Sequence, residues 1–129
     1  MSATINLDIA KRVDVVCRKG DTFSMSITMT DSSGQPIDVL SHSFKMQVRP
    51  YDLHGNSDSA EATIEISTGD GIEINSDVED NNVIDVVIDA ITMGGIESGL
   101  YVYDFQSDLS GVVTTWLYGT FKVNEDITI

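Results

Sequence analysis

The sequence predicts an all-β protein, a single antiparallel β-sandwich of about seven or eight strands formed by one domain, residues 1–129. Three observations carry this. Apolar and polar side chains alternate with a period of two in one segment after another. Turn residues separate these segments at intervals of roughly 8–12 residues. No stretch repeats apolar residues at i, i+3, i+4 and i+7 for three helical turns.

The clearest strand is DTFSMSITMT, residues 21–30, in which Phe23, Met25, Ile27 and Met29 share one face. Ser24, Ser26, Thr28 and Thr30 share the other. A Gly-x-Pro turn ends it. In SFKMQVRP, Phe44, Met46 and Val48 alternate with Lys45, Gln47 and Arg49 until Pro50, which lacks a ladder donor, stops the pairing. Residues 51–60 read as a polar loop. EATIEIST and GIEIN, separated by a Gly-containing turn, predict a hairpin over 61–75. SDVEDNN is a loop, and NVIDVVID is a Val- and Ile-rich strand central to its sheet. The Gly pair in AITMGGIESG, residues 90–99, marks one helical turn or a bend. LYVYDFQSD then sets Tyr101, Tyr103 and Phe105 against Leu100, Val102, Asp104 and Gln106. In the last strand, VVTTWLYGTFKV, Gly119 marks a bulge or a close backbone approach. The ends, about 1–9 and 124–129, read as short terminal arms, either solvated or added to a neighbour's sheet edge.

Charge excludes several functions. Twenty-one acids against seven bases give a net charge of −14, and residues 50–121 hold 14 acids with no Lys or Arg. Nucleic-acid affinity comes largely from Lys and Arg on phosphates, so this field argues against DNA or RNA. An anionic membrane surface is disfavoured for the same reason. No apolar run reaches the ~20 residues of a membrane helix. The N-terminal segment lacks a basic leader followed by an apolar stretch, so no secretory signal is expected. One cysteine, Cys17, permits no internal disulfide, and its Val15-Val16-Cys17-Arg18 setting suits a half-buried structural thiol.

Reactive chemistry is sparse. His42 and His54 fall in or beside polar loops without a nucleophile elbow, and read as surface histidines. Trp116 suits a buried strand position better than an exposed binding platform. Acid pairs abound, but the nine aromatics mostly fit strand cores rather than a sugar-stacking cleft. Asp70, Asp77, Glu79 and Asp80 flank a short strand and offer hard oxygens, a weak candidate set for calcium without the EF-hand pattern. Lys19-Gly20-Asp21 is a tight turn before a strand. No catalytic residue, small-molecule substrate or cofactor is expected. Six of the seven bases, all outside the acidic stretch, are the candidates for docking an acidic neighbour: Lys11, Arg12, Arg18, Lys19, Lys45 and Arg49.

Four stretches, RKGDTFSMSITMTDSSGQPIDV, FKMQVRP, GLYVYDFQ and YGTFKVNEDIT, occur in this order over about residues 12–128. Together they resemble a family of short virion proteins of tailed phages and prophages. That family shows an R-x-G-D-T-F entry, a D-x-x-G-x-P-I-D turn, a G-x-Y-x-Y-D strand and a closing G-T-F-x-V strand. The pattern is also similar to the N-terminal domain of phage upper-baseplate proteins. The entry here, Arg18-Lys19-Gly20-Asp21, fits. VLSHS between Asp38 and Phe44 replaces the usual L-T-G-Y turn, so that corner is expected to be built differently.

The resemblance implies an immunoglobulin-like sandwich and a structural part of the virion, assembled in the bacterial host cytoplasm. It implies a tail, baseplate or neck protein that joins fibres or receptor-binding chains to the particle. Its partners would be other virion proteins, or further copies of itself in a ring or oligomer. A capsid decoration protein on the outer shell is the alternative, and a calcium-dependent carbohydrate-binding module is the alternative of another class. The resemblance carries no catalytic residues.

Overall fold

The structure, a computed structural model, describes residues 2–6, 10–51 and 63–125. In chain order the elements are β1 (Ser2–Asn6), β2 (Lys11–Arg12), β3 (Val15–Arg18), β4 (Phe23–Thr30) and β5 (Ser43–Pro50). They continue with β6 (Ile64–Thr68), β7 (Gly71–Ile74), β8 (Val83–Ile88), α1 (Ala90–Gly94), β9 (Gly99–Leu109) and β10 (Val112–Asn124). The strands form one curled path, β1-β4-β8-β7-β6-β5-β9-β10-β2, with β3 also on β10. The path folds over between β7 and β6, so that its two halves face each other like the layers of a sandwich. Phe23 of β4 meets Phe121 of β10 edge-on at 5.3 Å across the interior.

Period-two alternation explains the core. Phe23, Met25, Ile27 and Met29 are buried on β4, and Phe44, Met46 and Val48 on β5. Ile64 and Ile66 join them from β6, and Tyr101, Tyr103 and Phe105 from β9. The hydroxyl face of β4 lies on the outside of the first layer.

The all-β sandwich is as expected, with ten strands among the described residues rather than seven or eight. The pairings β1–β4, β2–β10, β3–β10 and β6–β7 are parallel. Short stretches account for the larger count: β2 and β3 are one segment interrupted at Val13–Asp14, and β6 and β7 are one path broken by a turn.

That turn corrects the expected 61–75 hairpin. Ser67 N–H donates to the Asp70 carbonyl at 3.0 Å, and Asp70 N–H to the Ser67 carbonyl at 2.8 Å. Gly69 and Gly71 hold φ of 84° and 96°, so the chain kinks and then continues in its original direction. A Cβ at Gly71 would lie 3.0 Å from both the Ile66 side chain and the Val87 carbonyl oxygen. β6 therefore pairs with β5 and β7 with β8, each antiparallel, and the chain passes from one layer to the other.

The terminal arms also need correction where they are described. Residues 2–6 pair with β4 of their own chain, and Asn124 pairs with Arg18. The exposed ladder of β4 is thus met within the chain rather than by a neighbour. One N-terminal segment borders both layers, through β1 on β4 and through β2 and β3 on β10. Residues 1, 7–9, 52–62 and 126–129 lie outside the described residues, and with them His54, most of the expected 51–60 loop and the first residues of the expected hairpin.

Residues 90–94 form the expected helical turn. The Asp89 carboxylate caps it by accepting from Thr92 N–H at 2.7 Å, which holds its pKa below the usual carboxylate range. The VLSHS corner is closed by buried Val39, whose N–H donates to the Asn81 carbonyl at 3.0 Å. His42 closes it from the other side. It is half-buried rather than on the surface, lies 3.2 Å from Ser107 Oγ, and stacks on Phe44.

Candidate docking face

β6, β5, β9, β10 and the β2–β3 segment place one row of side chains across the outside of the second layer. Cross-strand pairing sets Glu65 opposite Gln47, Gln47 opposite Asp104, Asp104 opposite Tyr118, and Tyr118 opposite Arg12. Arg49 pairs with Val102, and Val102 with Thr120, in the next outward row. Alternation makes this face polar because Met46, Val48, Tyr103, Phe105 and Phe121 turn inward.

All seven Lys and Arg residues of the chain belong to this layer and its edge. Lys11 and Arg12 are on β2, Arg18 on β3, Lys45 and Arg49 on β5, and Lys122 on β10. Lys19 follows β3, with its N–H donated to the Asn124 carbonyl at 2.9 Å. The six bases expected to form a docking surface therefore do share one layer. Lys122 was missed, although its place between Phe121 and Val123 in an alternating strand was the signal for an outward base. The strands of the opposite layer for which side chains are described, β4, β7 and β8, carry no base and show Glu73 and Asp85.

Within the face, a groove of about 420 Å³ opens between Arg12 on one side and Arg49 on the other, with Tyr51, Asp104, Tyr118 and Thr120 among its walls. Arg12 Nε lies 3.2 Å from Asp14 Oδ1, which also accepts the Thr120 N–H at 3.0 Å. The Thr120 hydrogen bond first, and Arg12 in lesser measure, hold the Asp14 carboxyl below its usual pKa. Arg49 donates to Gln47 Oε1 at 2.7 Å, and Gln47 donates to Glu65 at 3.1 Å. Asp104 is half-buried, and desolvation raises its pKa although Arg49 and Lys45 pull the other way.

The groove floor depends on Gly119. A Cβ there would collide with the Val13 carbonyl oxygen and come within 2.9 Å of Asp14 Oδ1. Val13 bridges β2 and β3: its N–H donates to the Tyr118 carbonyl at 2.9 Å, and its own carbonyl accepts from the Tyr103 hydroxyl at 2.6 Å. Gly119 is thus the close approach expected from sequence. The strand irregularity falls earlier, between Thr115 and Leu117, where consecutive Trp116 and Leu117 are both buried.

The other singled-out residues lie apart from this face. Trp116 is 3% exposed and donates to Ser107 Oγ at 2.8 Å, so it serves the core rather than a binding platform. Cys17 is half-buried beside the Lys122 carbonyl, and burial pushes its thiol up to about 11, which keeps it protonated at neutral pH. Asp70 is in the turn after β6, whereas Asp77, Glu79 and Asp80 are in the loop before β8. Among the described residues, no three His, Cys, Asp or Glu side chains gather into a metal-holding group. No described helix is long and apolar enough to cross a membrane.

No protein-family model and no curated protein sequence matches the chain. Among solved structures it is similar to the N-terminal domain of phage TP901-1 ORF48, at 12% sequence identity and a TM-score of 0.48. That likeness covers 96% of this chain and 99% of the other.

Proposed function

We propose that this chain is a structural part of a tailed-phage virion, at the tail, baseplate or neck. There it joins fibres or receptor-binding chains to the particle and docks an acidic neighbour through its basic face. The observation that carries the reading is the segregation of charge, with every Lys and Arg along one layer of a strongly acidic protein. Complementary charge on a rigid scaffold selects one orientation against neighbours, while like charge disfavours the reversed contact. The ordered motifs from Arg18 to Thr128 that resemble short phage virion proteins supply the particle context. Such a role needs no reacting centre.

Carbodiimide coupling of purified particles tests this reading, because it joins a Lys amine to a carboxylate in contact with it. Lys45 and Lys122 are expected to link to Asp or Glu residues of another virion chain. Absence of the chain from purified particles, or links from these lysines only to residues of the same molecule, would refute it.

A further inference from the structure

We propose that the groove between Arg12 and Arg49 is a seat for a carboxylate side chain carried on an extended segment of a partner protein. The inference rests on the docking reading of this face and names what the face grips. Three features of the groove point to that ligand.

The first is charge placed at short range. Arg12 and Arg49 enter from opposite sides, and Lys45 is one outward position from Gln47 along the same strand. The net −14 of the chain repels a polyanion along its whole length. A single carboxylate within the groove feels mainly the nearest guanidinium groups, because exposed charges farther than about 8 Å are largely screened at physiological salt. Arginine also suits a carboxylate geometrically, since its planar fork donates two parallel hydrogen bonds.

The second is size and wall chemistry. About 420 Å³ accommodates one or two side chains rather than a folded surface. Tyr51 and Tyr118, 43% and 44% exposed, supply ring faces and hydroxyls that can flank an extended backbone.

The third is Asp104. Its half-buried carboxylate lies in the field of Arg49 and Lys45, as that of Asp14 lies on Arg12 at 3.2 Å. An incoming carboxylate must share those cations with Asp104. Asp104 therefore sets the affinity: like-charge repulsion keeps it modest, and removing that charge should strengthen binding.

The test uses the full-length ¹⁵N-labelled chain and two capped peptides, acetyl-Glu-Tyr-Glu-amide and its acetyl-Gln-Tyr-Gln-amide counterpart. The carboxylate peptide is expected to shift Val102, Gly119 and Thr120 amides saturably, and the Gln peptide is expected to bind at least tenfold more weakly. Arg12→Gln and Arg49→Lys should each weaken the carboxylate peptide by about tenfold, the latter because lysine keeps charge but lacks the fork. Asp104→Asn should tighten it. Melting temperatures confirm that each variant folds; Arg12, on the exposed β2 edge, carries the test should Arg49→Lys prove unstable.

Equal binding of the two peptides, shifts spread evenly over Lys11, Lys19 and Lys122, or no saturable shift would overturn the proposal. The two readings fail separately. Lost peptide binding with intact Lys45 or Lys122 cross-links removes the groove and leaves the docking face. Tight peptide binding by a chain absent from particles removes the virion role and leaves the groove.

Discussion

Replacing Phe121 by Ala is expected to lower the unfolding free energy by about 3–5 kcal/mol, the range for emptying a buried aromatic site. Phe121 is fully buried, sits edge-on to Phe23 at 5.3 Å, and meets Tyr103 at 6.2 Å. It therefore ties both layers and the underside of the docking face together. Domains of this size have roughly 5–15 kcal/mol of total stability, so the loss takes a large share of it. Thermal unfolding followed by circular dichroism should show a fall on the order of 10–20 °C. An unchanged melting temperature would mean that the two layers do not meet at this residue.

Gly119→Ala is expected to cost about 1–3 kcal/mol, although the change adds a single methyl group. The obstacle is the Val13 carbonyl, main-chain atoms held on one side by Tyr118 and on the other by the Tyr103 hydroxyl. Relief requires the β2–β3 segment to move away from β10, which carries Arg12 out of the groove. The variant should lose carboxylate-peptide binding along with stability. Gly111→Ala is the control. It sits at a hairpin tip with a φ of 90°, and nothing lies within 4 Å of the added atom. It should cost about 1 kcal/mol through backbone strain alone and leave the groove intact. Equal effects of the two substitutions on the groove would contradict the close-approach account.

The local elements were legible because their signals are local. In residues 23–30 alternation alone assigns the buried face, and β4 follows it residue by residue. The helical turn at Ala90–Gly94 was marked by the break in that alternation. The turn at 67–71 was not legible, because a Gly-Asp-Gly stretch between two short strands also fits a hairpin. Its direction depends on how Gly71 fits between Ile66 and Val87, and Val87 is remote in sequence. Parallel pairing of β1 with β4, and of β2 and β3 with β10, has no sequence period of its own and depends on which ladder is left open.

The docking face was legible as a set of bases and not as a site. Arg12 and Arg49 are distant in sequence, and border one groove only because the path β5-β9-β10-β2 sets their strands on the two sides of it. Asp104 belongs to the acidic stretch 50–121, and a count of charge along the chain does not set it beside any base. Pairing across Gln47 and Tyr118 returns it to the basic face.

A reconstruction of the assembled particle tests the docking of this face, by locating the chain and the surface it presents to its neighbours. The outer face of β5, β9 and β10, with Lys45, Arg49 and Lys122, is expected to lie against acidic side chains of another virion protein. The Ser and Thr face of β4 is expected to look toward solvent or a basic surface. Density showing the Arg12–Arg49 face open to solvent and the β4–β8 layer buried against an acidic neighbour would contradict this docking.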